Sequence, residues 1–416
     1  MKQEAELREF SIRNFQKKIT KVNERIYHFL GYGHSNAIAV LGDTSIILID
    51  TLDSVERGVV LREELAKLSD LRVETIIYTH GHPDHRGGAG AFRDTVKDVM
   101  AMRPKQSPYE HYDKLSHILN KRGRRQFGYE LSDDEAITQG IGIREGVARG
   151  ETFDPLPVTI WHEEDLIRCT IDGIPLEIFR APGECDDGLA IWLPEDEVLC
   201  CGDNYYGCWP NTYAIRGTQY RNLAQWIATL RTMLSYPSKV LLPGHTRALF
   251  GEEIQEVLGS YIEALESVLM QTLECMDRGF TVSQCVEAVN LPDYLQGKEY
   301  LGEYYGTIEW TVRGIYSGYV GWFDGDPVHL MPVSEEKLSL KLLSLMDEQA
   351  VLLEIENCLS QEEYQLALEL GKILSCNNDH EKQLKELRQR ALLGRAAQMT
   401  SANARHYYIA CAKEEH

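Results

Sequence analysis

The seven residues THGHPDH, at positions 79–85, constrain this chain more than any other stretch of it. Directly after the apolar residues IIY, three histidines and one aspartate offer side chains that bind divalent metals. These four residues are His80, His82, Asp84 and His85. Four ligands this close together cannot all bind one tetrahedral ion, so their spacing predicts two adjacent metals. We expect the first two residues on one metal and the last two on the other.

Three further candidate ligands each stand at the end of another apolar run. They are Glu184 in RAPGE, Asp203 in LCCGD and His245 in LLPGH. Metal sites in layered α/β proteins gather on loops at one edge of a sheet, so we expect these residues to complete the site. Imidazole and carboxylate ligands suit Zn²⁺, and also Fe or Mn, whereas structural zinc sites favour cysteine. Two such metals activate water, which predicts a hydrolase, with a structural metal cluster as the alternative.

Short apolar runs alternate with turns over the first hundred residues. Residues 37–42 and 45–50 predict two adjacent strands, and residues 73–79 predict a buried strand. Between them, residues 55–68 have apolar side chains at helical spacing, after a Ser54 that can cap the helix. This order of strands and helix indicates an α/β layer fold.

Strand-like runs return between residues 158 and 200, and the sequence becomes largely helical after residue 250. Residues 221–235 predict a helix, and residues 239–245 predict another buried strand. Residues 252–276 form a long amphipathic pattern, and residues 334–414 predict several helices in tandem, with degenerate helical-hairpin repeats as an alternative. The sequence therefore predicts a layered first part and a helical second part.

Acidic residues outnumber basic residues by 64 to 43, and the formal net charge is −21. Because phosphate backbones require a basic surface, this charge argues against nucleic acid as a partner. The N-terminus lacks the apolar segment of a secretory signal, and no run reaches the roughly 18 apolar residues of a membrane span. Ten cysteines without a CxxC pair are typical of reduced thiols. We therefore expect a cytoplasmic protein without a membrane span. The acidic surface does not exclude the small anionic ester that a two-metal hydrolase would bind, provided that local arginine or metal charge overcomes the overall field.

The run THGHPDH resembles the HxHxDH signature of the metallo-β-lactamase superfamily, and IDT at 49–51 resembles another of its strand-end motifs. Most members continue with PGH, whereas this chain has PGE, ending at Glu184. In this respect the chain resembles the alkylsulfatase (class III sulfatase) branch, in which a glutamate replaces that histidine. Residues 124–150 resemble the insertion of that branch. Residues 304–327, which include GWFDGDP, and residues 400–414 resemble the start and the end of its helical dimerisation domain.

The resemblance implies an α/β fold in which an αββα metallo-β-lactamase sandwich is followed by an all-α helical dimerisation domain. We expect the catalytic sandwich in residues 1–255, with an insertion at about 101–157, and the helical domain in residues 256–416. We then expect a homodimer formed through the C-terminal helices, with packing of these helices within one chain as the alternative. The chain also ends after the helical domain, so we expect the lipid-carrier-like domain that commonly follows in the branch to be absent.

The resemblance also implies an activity, namely hydrolysis of an alkyl sulfate ester by water that two divalent metals, expected to be zinc, activate. Asp84 and Asp203 are the implied catalytic residues as well as metal ligands. The segment NTYAIRGTQYRNLAQW resembles the sulfate-facing segment of the branch, which implies that Asn211 and Arg216 bind the sulfate. Two roles remain open for Tyr319: it is either a substrate-binding residue in the wall of the active site or an aromatic residue that packs its helix against its neighbours.

Departures from the branch pattern leave alternatives open. Glu184 stands one residue closer to its glycine than the branch pattern has it, so Asp186 or Asp187 compete as the ligand. Arg124 and Arg125 lie in the insertion, and we expect both to be solvated. Other functions that use the same ligand set are hydrolysis of another ester, a thioester, a lactone or a phosphoester, and oxygen handling by two irons. A helical scaffold with a relic site is the remaining alternative.

Overall fold

Two β-sheets lie face to face in the first part of the chain. The computed structural model describes residues 2–106, 109–376 and 380–415. In both sheets, hydrogen-bonded neighbours are consecutive strands along the chain. The first sheet contains β1 (Lys18–Lys21), β2 (Ile26–Leu30), β3 (Ala37–Leu41), β4 (Ile46–Ile49), β5 (Val73–Ile77), β6 (Asp98–Met102) and β7 (Ile160–His162). The second contains β8 (Leu166–Ile171), β9 (Ile174–Arg180), β10 (Leu189–Leu193), β11 (Val198–Gly202), β12 (Val240–Pro243) and β13 (Leu249–Phe250).

Helices flank the sheets and make up most of the structure after residue 250. The α-helices are α1 (Lys2–Asn14), α2 (Val55–Leu68), α3 (Pro83–Arg86), α4 (Ser116–Gln126), α5 (Leu223–Leu234), α6 (Glu252–Asp277), α7 (Val282–Ala288), α8 (Ile308–Val320), α9 (Pro327–Leu330), α10 (Glu335–Leu343), α11 (Glu348–Ser360), α12 (Tyr364–Leu374), α13 (Glu381–Ala397) and α14 (Ala402–Glu414). Short 3-10 helices span residues 89–92, 112–115, 147–149 and 299–301. Across the described part of the chain, no helix has the length and apolar character that crossing a membrane requires.

Apolar side chains fill the space between the two sheets. Ile38, Ile49 and Ile77 of the first sheet belong to the same buried cluster as Ile178 and Ile191 of the second. Branched side chains of this kind pack well on a pleated surface. Each one contributes about 1.5–3 kcal/mol when it is fully buried, so this layer is a main source of stability.

The outer faces of both sheets are covered by helices. Leu61 and Leu65 of α2 pack in the cluster on the first sheet. Trp226 and Leu230 of α5 pack in the cluster on the second sheet. The side chain of Ser54 accepts a hydrogen bond of 3.3 Å from a backbone N–H in the first turn of α2, so this helix begins where the sequence predicts. The layer order α–β–β–α confirms the predicted sandwich.

The N-terminal helix α1 has no counterpart among the sequence predictions. Its side chains are mostly polar, but Leu7 and Phe10 are fully buried. The ring of Phe10 stacks on that of Tyr304, with 3.8 Å between the ring centroids. Two buried side chains in thirteen residues leave a weak periodic pattern, which explains why the sequence does not reveal this helix.

The helical second part continues from the sandwich without a break. Leu258 and Leu265 of α6 belong to the same cluster as Trp226, so α6 extends the layer over the second sheet. The boundary that we expect after residue 255 therefore falls inside a continuous helix. Helices α10 to α13 form a cluster of their own, which includes Ile355.

Candidate metal centre

The predicted metal ligands follow strands whose carboxyl ends lie at one edge of the sandwich. In the first sheet, β4 and β5 run parallel, and THGHPDH follows the end of β5. In the second sheet, β11 and β12 run parallel, and Asp203 and His245 follow their ends. β9 points the same way as β11, because each is antiparallel to β10, and it leads to Glu184. This edge is where α/β folds commonly place binding sites.

The carboxylates of Asp84 and Asp203 lie among three imidazoles. Nε2 of His85 lies 3.3 Å from Oδ2 of Asp84 and 3.3 Å from Oδ1 of Asp203. Nε2 of His245 lies 3.4 Å from Oδ2 of Asp84 and 3.3 Å from Oδ2 of Asp203. Nε2 of His80 lies 3.6 Å from Oδ2 of Asp203. Five of the predicted ligands thus face one another directly.

The two remaining predicted ligands join the same cluster. Donor atoms of His82, Glu184 and Asp203 all lie within 4.8 Å of one another. Asp186 and Asp187, which the sequence leaves open as competitors, belong to none of the metal-ligand groups found among the described residues. The structure therefore brings together the seven residues that the sequence analysis proposes as ligands.

Several donor atoms in this cluster are buried without a hydrogen-bond partner. They are Nε2 of His80, His85 and His245, Oδ1 of Asp203 and Oε2 of Glu184. Leaving a buried polar atom unpaired costs about 1–3 kcal/mol. Five unpaired atoms in one cluster therefore require an explanation. A divalent cation accepts electron pairs from imidazole and carboxylate alike, and this donor set therefore fits a metal centre.

Charge in the cluster is dominated by the carboxylates. Burial alone would lower the pKa of His85 and of His245. The carboxylates of Asp203 and Asp84 outweigh this effect: they raise the pKa of His85 well above its usual value and the pKa of His245 to about 10. In return, and against the effect of burial, the same imidazoles hold the pKa of both carboxyl groups well below the usual range. The carboxylates thus favour positive charge at this point, as a bound cation provides.

The outer nitrogens of the imidazoles are fixed by hydrogen bonds. Nδ1 of His85 is 2.7 Å from Oδ2 of Asp50, which also accepts from the hydroxyl of Thr79 at 2.7 Å. That hydroxyl lies 3.0 Å from Nδ1 of His80, and Nδ1 of His245 lies 3.0 Å from a backbone carbonyl. Contacts of this kind orient metal-binding imidazoles, and they leave each Nε2 facing the centre. The run IDT signalled Asp50 as a strand-end residue, but not this role.

Three residues at the centre were not assigned from the sequence. Arg221 is buried and places Nη1 2.6 Å from Oε1 of Glu184. Burial raises the pKa of Glu184 to about 7, even though the guanidinium opposes this shift. The thiol of Cys185 lies 3.2 Å from Nε2 of His82, and the buried ring of His34 belongs to a donor group with Asp84. The sequence feature that could have identified Arg221 is its position in the segment that resembles the sulfate-facing segment of the branch.

Beside the metal ligands lies a cavity of about 400 Å³. Asn211, Arg216 and Arg221 line it together with Asp84 and Asp203. Both amide atoms of Asn211 are buried without a hydrogen-bond partner, although its backbone is held in place. A buried donor and two guanidinium groups beside a metal centre are suited to an anion with several oxygens.

Two sequence expectations differ from what the structure shows. Tyr319 is 48% exposed on α8, with its ring 6.4 Å edge-on from that of Tyr220, and it does not line the cavity. Ile315, one turn earlier, is the side chain that α8 buries. Arg124 and Arg125 were both expected to be solvated: Arg124 is 53% exposed at the rim of the cavity, whereas Arg125 is only 20% exposed and pairs with Glu414. Side-chain direction on a helix decides both outcomes, and the spacing of residues alone leaves it open.

Residues 30–245 match the family model described as the metallo-beta-lactamase superfamily. Residues 281–416 match a second model, described as alkyl sulfatase dimerisation. A linear primary-alkylsulfatase of Pseudomonas sp. is 30% identical over 384 residues, which are 89% of this chain and 72% of that protein. The chain belongs to the alkylsulfatase branch of the metallo-beta-lactamase superfamily. Membership of this family implies a centre of two divalent metal ions, which the donor set above fits.

Other alkylsulfatases are similar over most of this chain. The alkyl/aryl-sulfatase BDS1 of Saccharomyces cerevisiae is 29% identical over 78% of this chain and 52% of its own length. The solved structure of the stereoselective inverting sec-alkylsulfatase Pisa1 from Pseudomonas sp. superposes with a TM-score of 0.83 at 23% identity, over 96% of this chain and 65% of that one. The chain thus spans 72% and 52% of the length of these two sequence relatives. The structural likeness shows that this chain and Pisa1 share a fold.

Proposed function

We propose that this member of the alkylsulfatase branch is a two-metal hydrolase that converts an alkyl sulfate ester into an alcohol and inorganic sulfate. The observation that carries the proposal is the cavity in which the unpartnered amide of Asn211 and the guanidinium groups of Arg216 and Arg221 adjoin the metal ligands. In a chain with a net charge of −21, such a concentration of donors and positive charge is suited to an anionic substrate.

Seven residues would hold the two ions, and zinc is the ion that we propose. They are His80, His82, Asp84, His85, Glu184, Asp203 and His245. When bound, the ions supply a nucleophile from water at neutral pH and neutralise charge on the ester oxygens. Iron and manganese accept the same imidazole and carboxylate ligands, so metal analysis of the purified protein distinguishes the three.

The chain's own residues would bind the sulfate and orient the water. Arg216 presents a planar fork that matches two sulfate oxygens, and the side-chain N–H groups of Asn211 donate to a third. The ionised carboxylates of Asp84 and Asp203 accept hydrogen bonds from the attacking water and keep its lone pair towards the ester. Asn211 and Asp203 are buried, which makes their hydrogen bonds stronger than in water. The rings of Phe127 and Tyr305 line the same cavity and would contact the alkyl group.

A screen for released sulfate tests the proposed function directly. Short and long, primary and secondary alkyl sulfates are incubated with protein whose metal content is measured on the same sample. We expect equal amounts of alcohol and sulfate, and label from isotopic water shows which of the two products received the oxygen. Turnover of a thioester, lactone or phosphoester without any alkyl sulfate would contradict the proposal, and so would tightly bound iron together with oxygen consumption.

Replacing the anion-binding side chains should weaken turnover without emptying the metal centre. For Arg216→Ala and Asn211→Ala we expect kcat/KM to fall by about 10–100-fold each, because each removes a hydrogen bond to a charged group. Arg93→Ala removes an exposed guanidinium that pairs with Asp154, and it serves as the matched control. Unchanged kcat/KM in Arg216→Ala, with normal metal content, would contradict the assigned role.

We further propose that the chain forms a homodimer through its C-terminal helices and that it acts in the cytoplasm. The match of residues 281–416 to alkyl sulfatase dimerisation supports the first statement, together with exposed apolar side chains on this part of the chain. Trp322 and Met331 are 75% and 90% exposed. The ten cysteines are free thiols, which supports a reducing compartment. Light scattering that shows a monomer at micromolar concentration would contradict the dimer.

A further inference from the structure

Cys185 lies against the half of the metal centre that His80 and His82 form. Its Sγ is 3.2 Å from Nε2 of His82. Donor atoms of His80, His82 and Cys185 all lie within 4.8 Å of one another. Among the ten cysteines, which all lie in the described part of the chain, this is the one that belongs to a metal-ligand group.

A second observation points to a ligand at the same place. Nε2 of His80 is buried without a hydrogen-bond partner, and the whole residue is 4% exposed. Its other ring nitrogen, Nδ1, is engaged by the hydroxyl of Thr79, which Asp50 holds in turn. The contacts on the outer side of the ring therefore leave Nε2 as the nitrogen available to an ion beside Cys185.

The loop after β9 presents two adjacent side chains to the centre. The backbone N–H of Gly183 donates to the carbonyl of Cys185 at 3.2 Å, which closes a tight turn around Glu184. One oxygen of Glu184 is held by Arg221, and its donor group contains His82 and Asp203. Cys185 instead shares a donor group with His80 and His82. Thus His82 lies between a carboxylate on one side and a thiol on the other.

We propose that Cys185 is a metal ligand and that, with His80 and His82, it forms a two-nitrogen, one-sulfur donor set that prefers Zn²⁺ to Mn²⁺. Thiolates favour zinc, whereas manganese favours oxygen ligands. The sulfur would join Glu184 and Asp203, whose donor atoms also lie beside His82. When the sulfur–metal bond forms, the S–H proton passes to solvent and no electron is transferred. The proposal rests on the metal centre of the proposed function, but it does not depend on which ester is cleaved.

X-ray absorption at the zinc edge of the zinc-loaded full chain tests this proposal. We expect a sulfur neighbour at about 2.3 Å in addition to nitrogen and oxygen neighbours at about 2.0–2.1 Å. The sulfur neighbour should disappear in Cys185→Ala and should remain in Cys169→Ser, which removes a half-buried thiol on β8 outside the centre. Zinc content and sulfate release are measured on the same samples.

Alkylation of the unaltered chain gives a second readout, which does not depend on a variant that folds. Iodoacetamide is applied to metal-free and to zinc-loaded protein, and the modified peptides are quantified by mass spectrometry. We expect zinc to slow modification of Cys185 by about tenfold or more, since a metal-bound thiolate is a poorer nucleophile than a free one. Modification of Cys169 should be equal in the two samples.

The possible outcomes separate this proposal from the proposed function. A zinc environment of nitrogen and oxygen alone, with alkylation of Cys185 unaffected by zinc, overturns the ligand assignment, even if the protein releases sulfate. A sulfur neighbour that survives Cys185→Ala also overturns it. A sulfur neighbour lost only in Cys185→Ala, in protein that cleaves no alkyl sulfate, upholds the ligand assignment and rejects the sulfatase function.

Discussion

Asp203→Ala is expected to abolish both metal retention and hydrolysis. The carboxylate of Asp203 faces the Nε2 atoms of His80, His85 and His245 at 3.3–3.6 Å, so it is shared by more of the proposed ligands than any other group described above. Without it, the two halves of the centre lose their common anionic ligand. We expect kcat/KM to fall by about 10³-fold or more, which corresponds to roughly 4 kcal/mol of lost transition-state stabilisation.

Metal content by elemental analysis and sulfate release are the paired measurements for this variant. Asp277→Ala, which removes an exposed carboxylate at the end of α6, is the control and should match the unaltered chain in both. If Asp203→Ala binds two metals per chain and keeps activity within tenfold of the unaltered chain, Asp203 is not a metal ligand. Loss of activity with full metal content would instead limit its role to orienting the water.

Arg221→Met is expected to destabilise the metal-free protein by about 3–5 kcal/mol, because it leaves the buried carboxylate of Glu184 without its partner. Both side chains of this pair are 4% exposed, and their charged atoms are 2.6 Å apart. Removing one member of a buried pair leaves an uncompensated charge in a low-dielectric surrounding. Chemical unfolding in the presence of a chelator measures the change without a contribution from bound metal.

The chain provides a closely matched control for this variant. Arg231 on α5 pairs with Glu266 at the same distance of 2.6 Å, but these side chains are 56% and 43% exposed. We expect Arg231→Met to change stability by less than about 1 kcal/mol, since solvent screens an exposed pair. The double variant Arg221→Met with Glu184→Gln should recover part of the loss. Equal effects of the two arginine substitutions would show that burial of the Glu184 pair contributes nothing.

Much of the fold could be predicted because its elements carry local signals. The capped helix α2 and the strands around it have apolar residues at the spacing that each element requires, and both appear where they were expected. The α–β–β–α layering and the helical second part also agree with the sequence predictions. Helix α1 was missed because only Leu7 and Phe10 are buried, and their environment comes from residues nearly three hundred positions away, such as Tyr304.

Part of the candidate site could be predicted for the same local reason. Histidine and carboxylate side chains at strand ends are conspicuous in sequence, and the structure brings all seven to one edge of the sandwich. Tyr319 was placed on the right helix, but the phase of that helix turns it to the surface. Arg221 and Cys185 gave little signal, because an arginine or a cysteine gains a role only from the group that lies opposite to it.

By itself, the sequence determined the kinds of ligand, the order of the layers and the acidic balance of the chain, since each depends on residue type and short-range spacing. The tertiary structure alone decided which atoms face one another. It paired Arg221 with Glu184, held His80 and His85 through Thr79 and Asp50, and set the thiol of Cys185 beside His82. Such contacts arise where distant strands end at a common edge, and their geometry depends on packing that no local pattern encodes.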